Sequence, residues 1–595
     1  MTVHTKTETF GATVLDNGRV EFRVWAPAAK TVTLRLLRRS REPQDLEMRN
    51  LGSSDFGMPD FDEPCANTFS VITEAVAGDR YFYIVDGQNP VPDPVSRLLP
   101  EGVHAPTEIV DPNSFTWTDA NWGGMPLQKY VIYELHVGTF TPPGTFEAVI
   151  SKLDYLRELG VTAIELMPVS AFPGARNWGY DGVSLYAVQA SYGGPDGLRR
   201  LVDEAHRRGL AVIQDVVYNH FGPEGNYLRQ FGPYFTGKHH TPWGEAVNYD
   251  DEGREGMRRL VVENALYWIR EYHMDGLRLD AIQTIKDDSD VTIVEEIAHS
   301  VHALGRELGR EIVVIGETDE NEPSYVLPAS QKGKGLDAVW SDDFHHSVHA
   351  HFTGERAGYY QDFGEQEQIA KALGEGFVFQ GEFFKFWNDV RGASSEGMPE
   401  WAHVICLQNH DQIGNRALGE RLTHLVPRGV RKMMAAFLLL APQTPLLFMG
   451  EEFDAETPFQ FFTDFGDPAL RKAVTEGRRK EFKQFKEFAS VDVPDPQDPA
   501  TFERSRLKWE WSPAQREMHD WYRKLLTLRA GYVINGERTC EARVVGEILE
   551  MKRPRGNGRL RVVGGRSGFV HESPSWHTVL QSNEDGFELC VEVKE

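Results

Sequence analysis

Cysteine is scarce in this sequence, with four residues among 595. Cys65, Cys406, Cys540 and Cys590 have neither the paired spacing of zinc ligands nor the density of a disulfide framework. Cys540 and Cys590, both near the C-terminus, could pair, although free thiols are expected in a reducing cytosol. The sequence therefore predicts neither a structural metal site nor a fold that depends on disulfides.

Long apolar segments are also missing. Residues Met1 to Phe10 are polar and lack the basic start and apolar run of a secretory signal. No stretch elsewhere reaches the length of a membrane span. We therefore expect a cytoplasmic location.

Positive charge is in deficit, because 63 Lys and Arg residues face 89 Asp and Glu residues and give a net charge of -26. Such a chain repels phosphate groups, which argues against nucleic acid or an anionic membrane as a partner. A neutral or cationic substrate is easier to reconcile with this charge. Aromatic residues make up 11% of the chain, and their flat faces suit sugar rings, although most aromatic side chains simply fill cores.

The two ends of the chain have strand-like patterns. Residues 1–115 contain alternating stretches such as Val20 to Trp25 and Thr31 to Leu36, which predict an N-terminal β-sandwich of a carbohydrate-binding kind. Residues 531–595 contain short strand patterns such as Arg559 to Val563, which predict a small C-terminal β-domain. We expect the long segment between them, residues 116–530, to be the catalytic domain.

In that middle segment, apolar strand patterns alternate with amphipathic helices, as in a parallel α/β fold. Phe146 to Leu159 has helical spacing, and Gly160 is placed to end the helix. Eight strands are predicted: Val131 to Leu135, Val161 to Met167, Leu210 to Val217, Asp275 to Asp280, Ile312 to Gly316, Leu336 to Trp340, His403 to Leu407 and Pro445 to Met449. Eight strands with helices between them fit a closed (β/α)8 TIM barrel better than an open sheet.

Polar residues gather after five successive predicted strands. Such barrels carry their chemistry at the C-terminal ends of the strands. The polar residues there are Asp215, Asn219 and His220 after the third strand, Asp280 after the fourth, Glu317 after the fifth, Asp342 and Asp343 after the sixth, and Asn409, His410 and Asp411 after the seventh. One such residue would mean little, but five consecutive strand ends predict an active site.

The carboxylates in this set are suited to breaking a glycosidic bond, which requires one protonated and one ionised carboxyl group. Arg278 lies two residues before Asp280 on the same strand face, so it would keep Asp280 ionised. Glu317 follows an apolar strand, and apolar surroundings would raise its pKa and keep it a usable acid. Asp411 would balance positive charge that develops at the anomeric carbon.

Other polar and aromatic residues are candidates for substrate binding. His220 and His410 are suited to hydrogen-bond sugar hydroxyls, and Tyr180 could stack against the reacting ring. Trp178 lies near Tyr180 in a long loop, where a sugar-binding role and a place in the core are about equally plausible. Trp243 and Trp340 leave the same choice open.

Four short motifs make the resemblance specific. Asp215 to His220, Gly276 to Asp280, Ile315 to Glu317 and Asn409 to Asp411 are similar to the four motifs of the α-amylase superfamily, glycoside hydrolase family 13, in the same order and at the same strand ends. The resemblance implies a retaining mechanism in which Asp280 is the nucleophile, Glu317 the acid/base and Asp411 the transition-state stabiliser.

The same resemblance implies substrate contacts for Arg278, His220, His410 and Tyr180, and a supporting role for Asp215. Asn219 matches a calcium ligand of many members, but the accompanying ligands are not evident. We therefore expect no metal and no cofactor.

Within the superfamily, the segment Phe22 to Pro27 resembles the module that precedes the barrel in branching enzymes, debranching enzymes and maltooligosyltrehalose trehalohydrolases. The loops after the sixth and eighth strands and the stretch Asp492 to Pro499 are most similar to the trehalohydrolases, over nearly the whole chain. This implies release of trehalose from maltooligosyl trehalose, with a maltooligosyl trehalose synthase as functional partner. Asp343, His345 and His346, on the rim, are candidates for binding the trehalose end.

Two alternatives remain. A branching or debranching enzyme for α-1,4-glucans would use the same catalytic groups, and comparing the products from maltooligosyl trehalose and amylopectin would separate the possibilities. A non-catalytic glucan-binding protein is the more remote alternative, because all three carboxylates are present.

Overall fold

A computed structural model of the chain describes residues 10–15, 17–52, 67–483, 492–534, 540–553, 559–568 and 576–594. Cys65 and the stretch from Met1 to Thr9 lie outside the described residues. Among the residues that are described, no helix combines the length and the apolar composition needed to cross a membrane.

The N-terminal part is a β-sandwich, as the alternating pattern predicted. Its strands are β1 (Gly11–Leu15), β2 (Arg19–Trp25), β3 (Val32–Leu37), β4 (Gln44–Glu47), β5 (Arg49–Asn50), β6 (Thr68–Glu74), β7 (Arg80–Val85) and β8 (Thr107–Glu108). They form two four-stranded antiparallel sheets with the orders β1-β2-β6-β5 and β4-β3-β7-β8. Val20, Phe22 and Val24 alternate inward along β2 and are buried, and each such side chain contributes about 2 kcal/mol by leaving water.

The middle of the chain contains β9 (Ile132–Leu135), β10 (Ala163–Leu166), β11 (Ser170–Ala171), β12 (Ser184–Val188), β13 (Ala211–Val216), β14 (Phe235–Thr241), β15 (Gly244–Val247), β16 (Gly276–Leu279), β17 (Val313–Gly316), β18 (Ala338–Trp340), β19 (Glu382–Phe384), β20 (Asp389–Arg391), β21 (His403–Cys406) and β22 (Thr444–Phe448). Eight of them close a barrel in the order β10-β13-β16-β17-β18-β21-β22-β9. All neighbouring pairs in the barrel are parallel. The predicted (β/α)8 barrel is therefore confirmed, and β11/β12, β14/β15 and β19/β20 are hairpins added to it.

Helices surround the barrel. They are α1 (Val137–Phe140), α2 (Phe146–Ile150), α3 (Leu153–Leu159), α4 (Gly194–His206), α5 (Arg254–Glu271), α6 (Ile293–Leu308), α7 (Asp343–Thr353), α8 (Gln366–Glu375), α9 (His410–Gly414), α10 (Leu422–Leu425), α11 (Arg428–Leu440), α12 (Pro468–Lys483), α13 (Pro499–Arg504) and α14 (Pro513–Leu528). The single helix predicted from Phe146 to Leu159 is two helices, α2 and α3. Gly160 ends α3 with φ of 109°, a left-handed conformation that glycine adopts without steric cost.

The C-terminal part is a five-stranded antiparallel sheet with the order β23-β24-β25-β27-β26. Its strands are β23 (Glu541–Val545), β24 (Ile548–Arg553), β25 (Arg559–Arg566), β26 (His577–Glu584) and β27 (Phe587–Lys594). The sheet packs against α11, and the Met433 side chain occupies the space next to Gly564 that a larger residue would fill. Cys540 and Cys590 are both free thiols, so no disulfide joins them.

Candidate active site

Asp280 directly follows β16, and both of its carboxylate oxygens are held. Arg278 Nη1 donates to Oδ1 at 2.7 Å, and the Asn219 amide donates to Oδ2 at 2.9 Å. Arg278 and Asp280 lie side by side, as expected for residues two apart on one strand. A guanidinium on one oxygen and an amide on the other stabilise the ionised carboxylate.

Arg278 joins the carboxyl groups of three strand ends, and its side chain is fully buried. Its Nη1 also contacts both oxygens of Asp215 at 3.0 Å, and its Nη2 lies 3.2 Å from Oε2 of Glu317. The guanidinium carbon is 4.3 Å from the centroid of the Trp340 ring. Burial disfavours the charge, but the neighbouring carboxylates, Asp215 foremost, outweigh it and hold the pKa of Arg278 well above its usual range.

Glu317 follows β17 and lies against the same cation. Its Oε2 accepts a hydrogen bond from the Ala281 backbone N–H at 2.5 Å. Ala281 has φ of 40°, a left-handed conformation that costs about 1–2 kcal/mol and aims this N–H at the carboxyl group. Burial, with a smaller effect of the Asp280 and Asp411 charges, outweighs Arg278 and raises the pKa of Glu317 to about 8. Glu317 is therefore protonated at neutral pH.

Asp411 lies in the first turn of the short helix α9, whose N-cap is Asn409. Its side chain is 40% exposed, and Oδ1 lies 3.5 Å from Nε2 of His410. It is the most open of the three predicted carboxyl groups, since the side chains of Asp280 and Glu317 are 12% and 17% exposed. The three groups thus share one cleft at the C-terminal end of the barrel.

Tyr180 connects two of the predicted binding residues. Its hydroxyl lies 2.6 Å from Oδ2 of Asp215 and 2.8 Å from Nε2 of His410. The rings of Tyr180 and His410 are nearly parallel, with centroids 5.1 Å apart. Burial is the main cause that raises the pKa of Asp215, to about 6. Asp215 contacts Arg278 and Tyr180, so it supports the site from below.

His220 is held by its own neighbours. Its Nε2 lies 2.9 Å from the Tyr180 carbonyl oxygen, and its Nδ1 lies 2.6 Å from Oδ1 of Asn219. The ring stacks on Trp243 with centroids 4.3 Å apart and an interplanar angle of 2°. Trp243, in the turn between β14 and β15, is 50% exposed, unlike Trp340, which is buried against Arg278.

Three of the predicted binding residues do not present a free polar group to the cleft. Trp178 is 4% exposed, donates through Nε1 to the Gln460 carbonyl and stacks on Phe459. It supports the ring of His410 from behind, at 5.6 Å between centroids. The structure therefore places Trp178 in the core beneath the cleft.

The sequence had suggested that Asp343 and His345 lie in a loop after the sixth strand. In the structure, both belong to helix α7. Asp343 is fully buried, and its carboxylate accepts from Arg391, Asn321 and the Val378 backbone. The two ring nitrogens of His345 lie near the Leu407 carbonyl and the Tyr360 hydroxyl. The polar atoms of Asp343 and His345 are thus hydrogen-bonded within the protein. This geometry does not support a direct contact of either residue with the trehalose end of a substrate. His346, one position further, does line the cleft.

A cavity of about 190 Å³ opens beside Glu317 and Asp411. Its walls include Asp342, which follows the sixth predicted strand, and five residues that no sequence motif had indicated: Gln283, Asp319, Tyr359, Phe386 and Trp387. Burial and the nearby Asp411 raise the pKa of Asp342 to about 7. Phe386 is 47% exposed. The aromatic run from Phe383 to Trp387, which begins in β19 and continues into the turn before β20, was the available sequence signal for this wall.

Metal-ligating residues meet at one place among the described residues, where His239, Asp250 and Asp288 come together. The Lys238 ammonium already lies there, 2.8 Å from the Asp250 carboxylate and 3.2 Å from that of Asp288. The cluster therefore has its own cation. Asn219, which matches a calcium ligand in related sequences, lies in the cleft, where its amide nitrogen donates to the Asp280 carboxylate.

Two family models match the chain. The alpha amylase catalytic domain matches residues 109–240. The carbohydrate-binding module 48, known as the isoamylase N-terminal domain, matches residues 9–93.

Several relatives match over most of the chain. The malto-oligosyltrehalose trehalohydrolase of Saccharolobus solfataricus is 44% identical, with 96% of this chain and 95% of the relative covered. That of Deinococcus radiodurans is also 44% identical, with 89% and 84% covered. A Salmonella typhimurium crystal structure, of a candidate alpha amylase, matches at 38% identity and a TM-score of 0.89, covering 99% of this chain and 100% of that one.

Proposed function

Because the chain belongs to the malto-oligosyltrehalose trehalohydrolase family of the α-amylase superfamily, we propose that it hydrolyses the α-1,4-glucosidic bond next to the terminal trehalose of maltooligosyl trehalose. The products are trehalose and a maltooligosaccharide. A branching enzyme from Corynebacterium jeikeium is similar over only 56% of the chain, at 31% identity, which favours the hydrolase over that alternative.

The observation that carries the proposal is the pair of carboxyl groups in opposite protonation states. Asp280 is held as an anion by Arg278 and Asn219, whereas burial raises the pKa of Glu317 to about 8. One nucleophile and one proton donor are what glycoside hydrolysis requires. A structural ion pair alone would not place a protonated carboxyl beside an ionised one at the mouth of a barrel.

The reaction then follows a double displacement. Asp280 attacks the anomeric carbon while Glu317 gives its proton to the departing glycosidic oxygen, and a covalent glycosyl-enzyme forms. Glu317, now ionised, removes a proton from water, which attacks the same carbon and restores Asp280. Asp411 faces the cleft as a partly exposed carboxylate and balances the positive charge of the transition state. The anomeric configuration is retained.

The cavity beside Glu317 is the proposed place for the trehalose leaving group. It opens on the side of the proton donor and has Tyr359, Phe386 and Trp387 in its wall. Aromatic faces bind the apolar faces of sugar rings. His346 shares this wall, so it is the predicted rim histidine that we retain as a substrate contact.

The test compares maltooligosyl trehalose with amylopectin as substrates and separates the products by chromatography. We expect free trehalose from the first substrate and little change in the second. An Asp280→Asn variant that folds normally serves as the inactive control. New branch points, or release of linear chains from amylopectin without release of trehalose, would instead identify a branching or debranching enzyme.

The product configuration gives a second, independent check. Proton magnetic resonance of the first products should show the α-anomer of the new reducing end. In a substrate complex, we expect the Asp280 and Glu317 carboxyl groups about 5–5.5 Å apart, as retention requires, whereas inversion needs a separation of about 6.5–9.5 Å.

We also propose a cytoplasmic enzyme that works with a maltooligosyl trehalose synthase. The support for the partner is chemical, because some other enzyme must first create the trehalose end that this site would release. Deletion of the gene should make cells accumulate maltooligosyl trehalose, and cell fractionation checks the location.

A further inference from the structure

Glu134 lies in β9, on the inner face of the barrel, and its carboxylate contacts His410, one of the predicted substrate-binding residues. Its Oε1 is bonded to Nδ1 of His410, and its Oε2 accepts from the His410 backbone N–H at 3.0 Å. Both side chains are 1% exposed. One carboxylate thus fixes the ring and the backbone of His410 together.

From His410 a chain of hydrogen bonds leads to the reacting carboxyl groups. Nε2 of His410 is 2.8 Å from the Tyr180 hydroxyl, which is 2.6 Å from Oδ2 of Asp215. Arg278 contacts both oxygens of Asp215 and donates to Asp280. The chain therefore ends at the proposed nucleophile.

The proton count along this chain requires a charged histidine. A tyrosine hydroxyl has one proton to give, and the short contact to Asp215 takes it. Nε2 of His410 must then be the donor to the Tyr180 oxygen, while Nδ1 must donate to the Glu134 carboxylate. Both ring nitrogens carry protons only in the imidazolium form.

We propose that Glu134 is a positioning residue that keeps His410 doubly protonated, so that His410 orients the Tyr180 hydroxyl and, through Asp215 and Arg278, the nucleophile Asp280. The inference deepens the proposed function and rests on it for the identity of the reaction. Its structural part, the charge of His410, stands on the contacts alone.

The electrostatics around His410 agree with this geometry. Burial acts to lower the pKa of His410, but the charges of Glu134 and Asp411 outweigh burial and Arg278 and raise it to about 9. Asp411 lies on the same helix and is 40% exposed, so it interacts through solvent more than Glu134 does. The titratable and charged groups that face the ring are Glu134, His136, Glu165, Tyr180, Asp215, Arg278 and Asp411.

Glu165 provides a matched control on the next strand. It is the register partner of Glu134 and is equally buried, at 1% exposure. Within the described part of the chain, neither of its carboxyl oxygens has a hydrogen-bond partner. Burial and the charge of Glu134 raise the pKa of Glu165 well above its usual range, so Glu165→Gln replaces one neutral group by another of the same shape.

The experiment compares Glu134→Gln, Glu134→Asp and Glu165→Gln in the full chain. If the pKa of His410 in Glu134→Gln falls to the ordinary value of about 6.5, about one molecule in ten is protonated at pH 7.5, and kcat should fall about tenfold there. At pH 5.5 kcat should return close to the parent value. Glu134→Asp keeps the charge and should recover part of the alkaline activity, and Glu165→Gln should keep the parent pH profile.

A second readout does not depend on activity. Nuclear magnetic resonance of histidine-labelled protein, with His410 assigned from its loss in His410→Gln, follows the imidazole charge directly. The proposal is overturned if His410 in Glu134→Gln still titrates above pH 8, or if kcat falls equally at every pH. If the parent protein releases no trehalose but His410 titrates as expected, the proposed function fails while the Glu134–His410 pairing stands.

Discussion

Replacing Glu317 by glutamine should remove activity and at the same time make the protein more stable. The folded protein keeps this carboxyl neutral, with a pKa of about 8 against 4.5 for an unperturbed glutamate. Because this group ionises more readily in the unfolded chain, the difference of about 3.5 pKa units lowers the free energy of unfolding. The loss is about 5 kcal/mol above pH 8 and about 3 kcal/mol at pH 7. Glutamine has the same shape and never ionises, so Glu317→Gln recovers up to this amount.

The sign of the effect depends on pH in a definite way. Because the pKa of Glu317 is raised in the folded state, its contribution to stability is fully present below pH 4.5 and is lost as the pH rises through 8. The melting temperatures of parent and variant should therefore coincide near pH 4 and separate progressively up to pH 8, with the variant higher by several degrees. Above pH 8 the difference should stay constant.

Thermal unfolding measured by calorimetry between pH 4 and 9 is the assay, with hydrolysis of maltooligosyl trehalose measured on the same samples. Loss of the acid should lower kcat by a factor of about 10² to 10⁴. Glu311→Gln is the control, since Glu311 is an exposed glutamate just before the same strand. A stability difference that does not change with pH, or a variant that is less stable at pH 8 than the parent, would refute the reasoning.

Four further outcomes are expected. Asp280→Asn should abolish trehalose release while leaving the melting temperature within a few degrees, and substantial remaining turnover would contradict its role. The kcat of the parent should fall as the pH rises through about 8, the pKa of Glu317. If the residual kcat of a folded Glu317→Gln variant shows the same decrease at alkaline pH, another group causes it. Tyr359→Ala should raise KM about tenfold through loss of ring contact. Asp343→Asn removes the carboxylate that forms an ion pair with buried Arg391, so it should lower the free energy of unfolding by about 3–5 kcal/mol.

The barrel could be predicted because its strands are buried on both faces and read as short apolar runs. The predicted run Ile312 to Gly316 is observed as Val313–Gly316, and the residue after it is necessarily at the rim. Parallel closure then brings successive strand ends together, which is why Asp280 and Glu317 could be placed in one cleft without any knowledge of the loops.

The wall of the cleft was less predictable, because it depends on partners that are distant in sequence. Asp343 has its cation in Arg391, on the hairpin strand β20, and His345 meets a carbonyl of Leu407. Nothing in the local pattern distinguishes an aspartate that binds a sugar from one that anchors a hairpin. Conversely, Tyr359 and Phe386 reach the cleft from segments whose aromatic residues would ordinarily be assigned to the core.

Glu134 shows where a sequence signal was present and not used. It interrupts the apolar strand Ile132–Leu135, and Glu165 does the same in the neighbouring strand Ala163–Leu166. A carboxyl group inside a buried strand costs several kcal/mol unless a partner compensates it. Charged residues in otherwise apolar barrel strands are therefore candidates for positioning roles, although the sequence alone does not name their partners.

The two carboxyl groups at the centre of the site differ in the donors that hold them. Both contact the same guanidinium, but Nη1 donates to Asp280 at 2.7 Å whereas Nη2 lies 3.2 Å from Glu317. Asn219 adds a second donor to Asp280. Glu317 receives one backbone N–H and is subject to the negative charge of Asp280, so burial prevails and the proton stays on it. The negative charge of Asp280 thus adds to burial in raising the pKa of Glu317, whereas Arg278 opposes both.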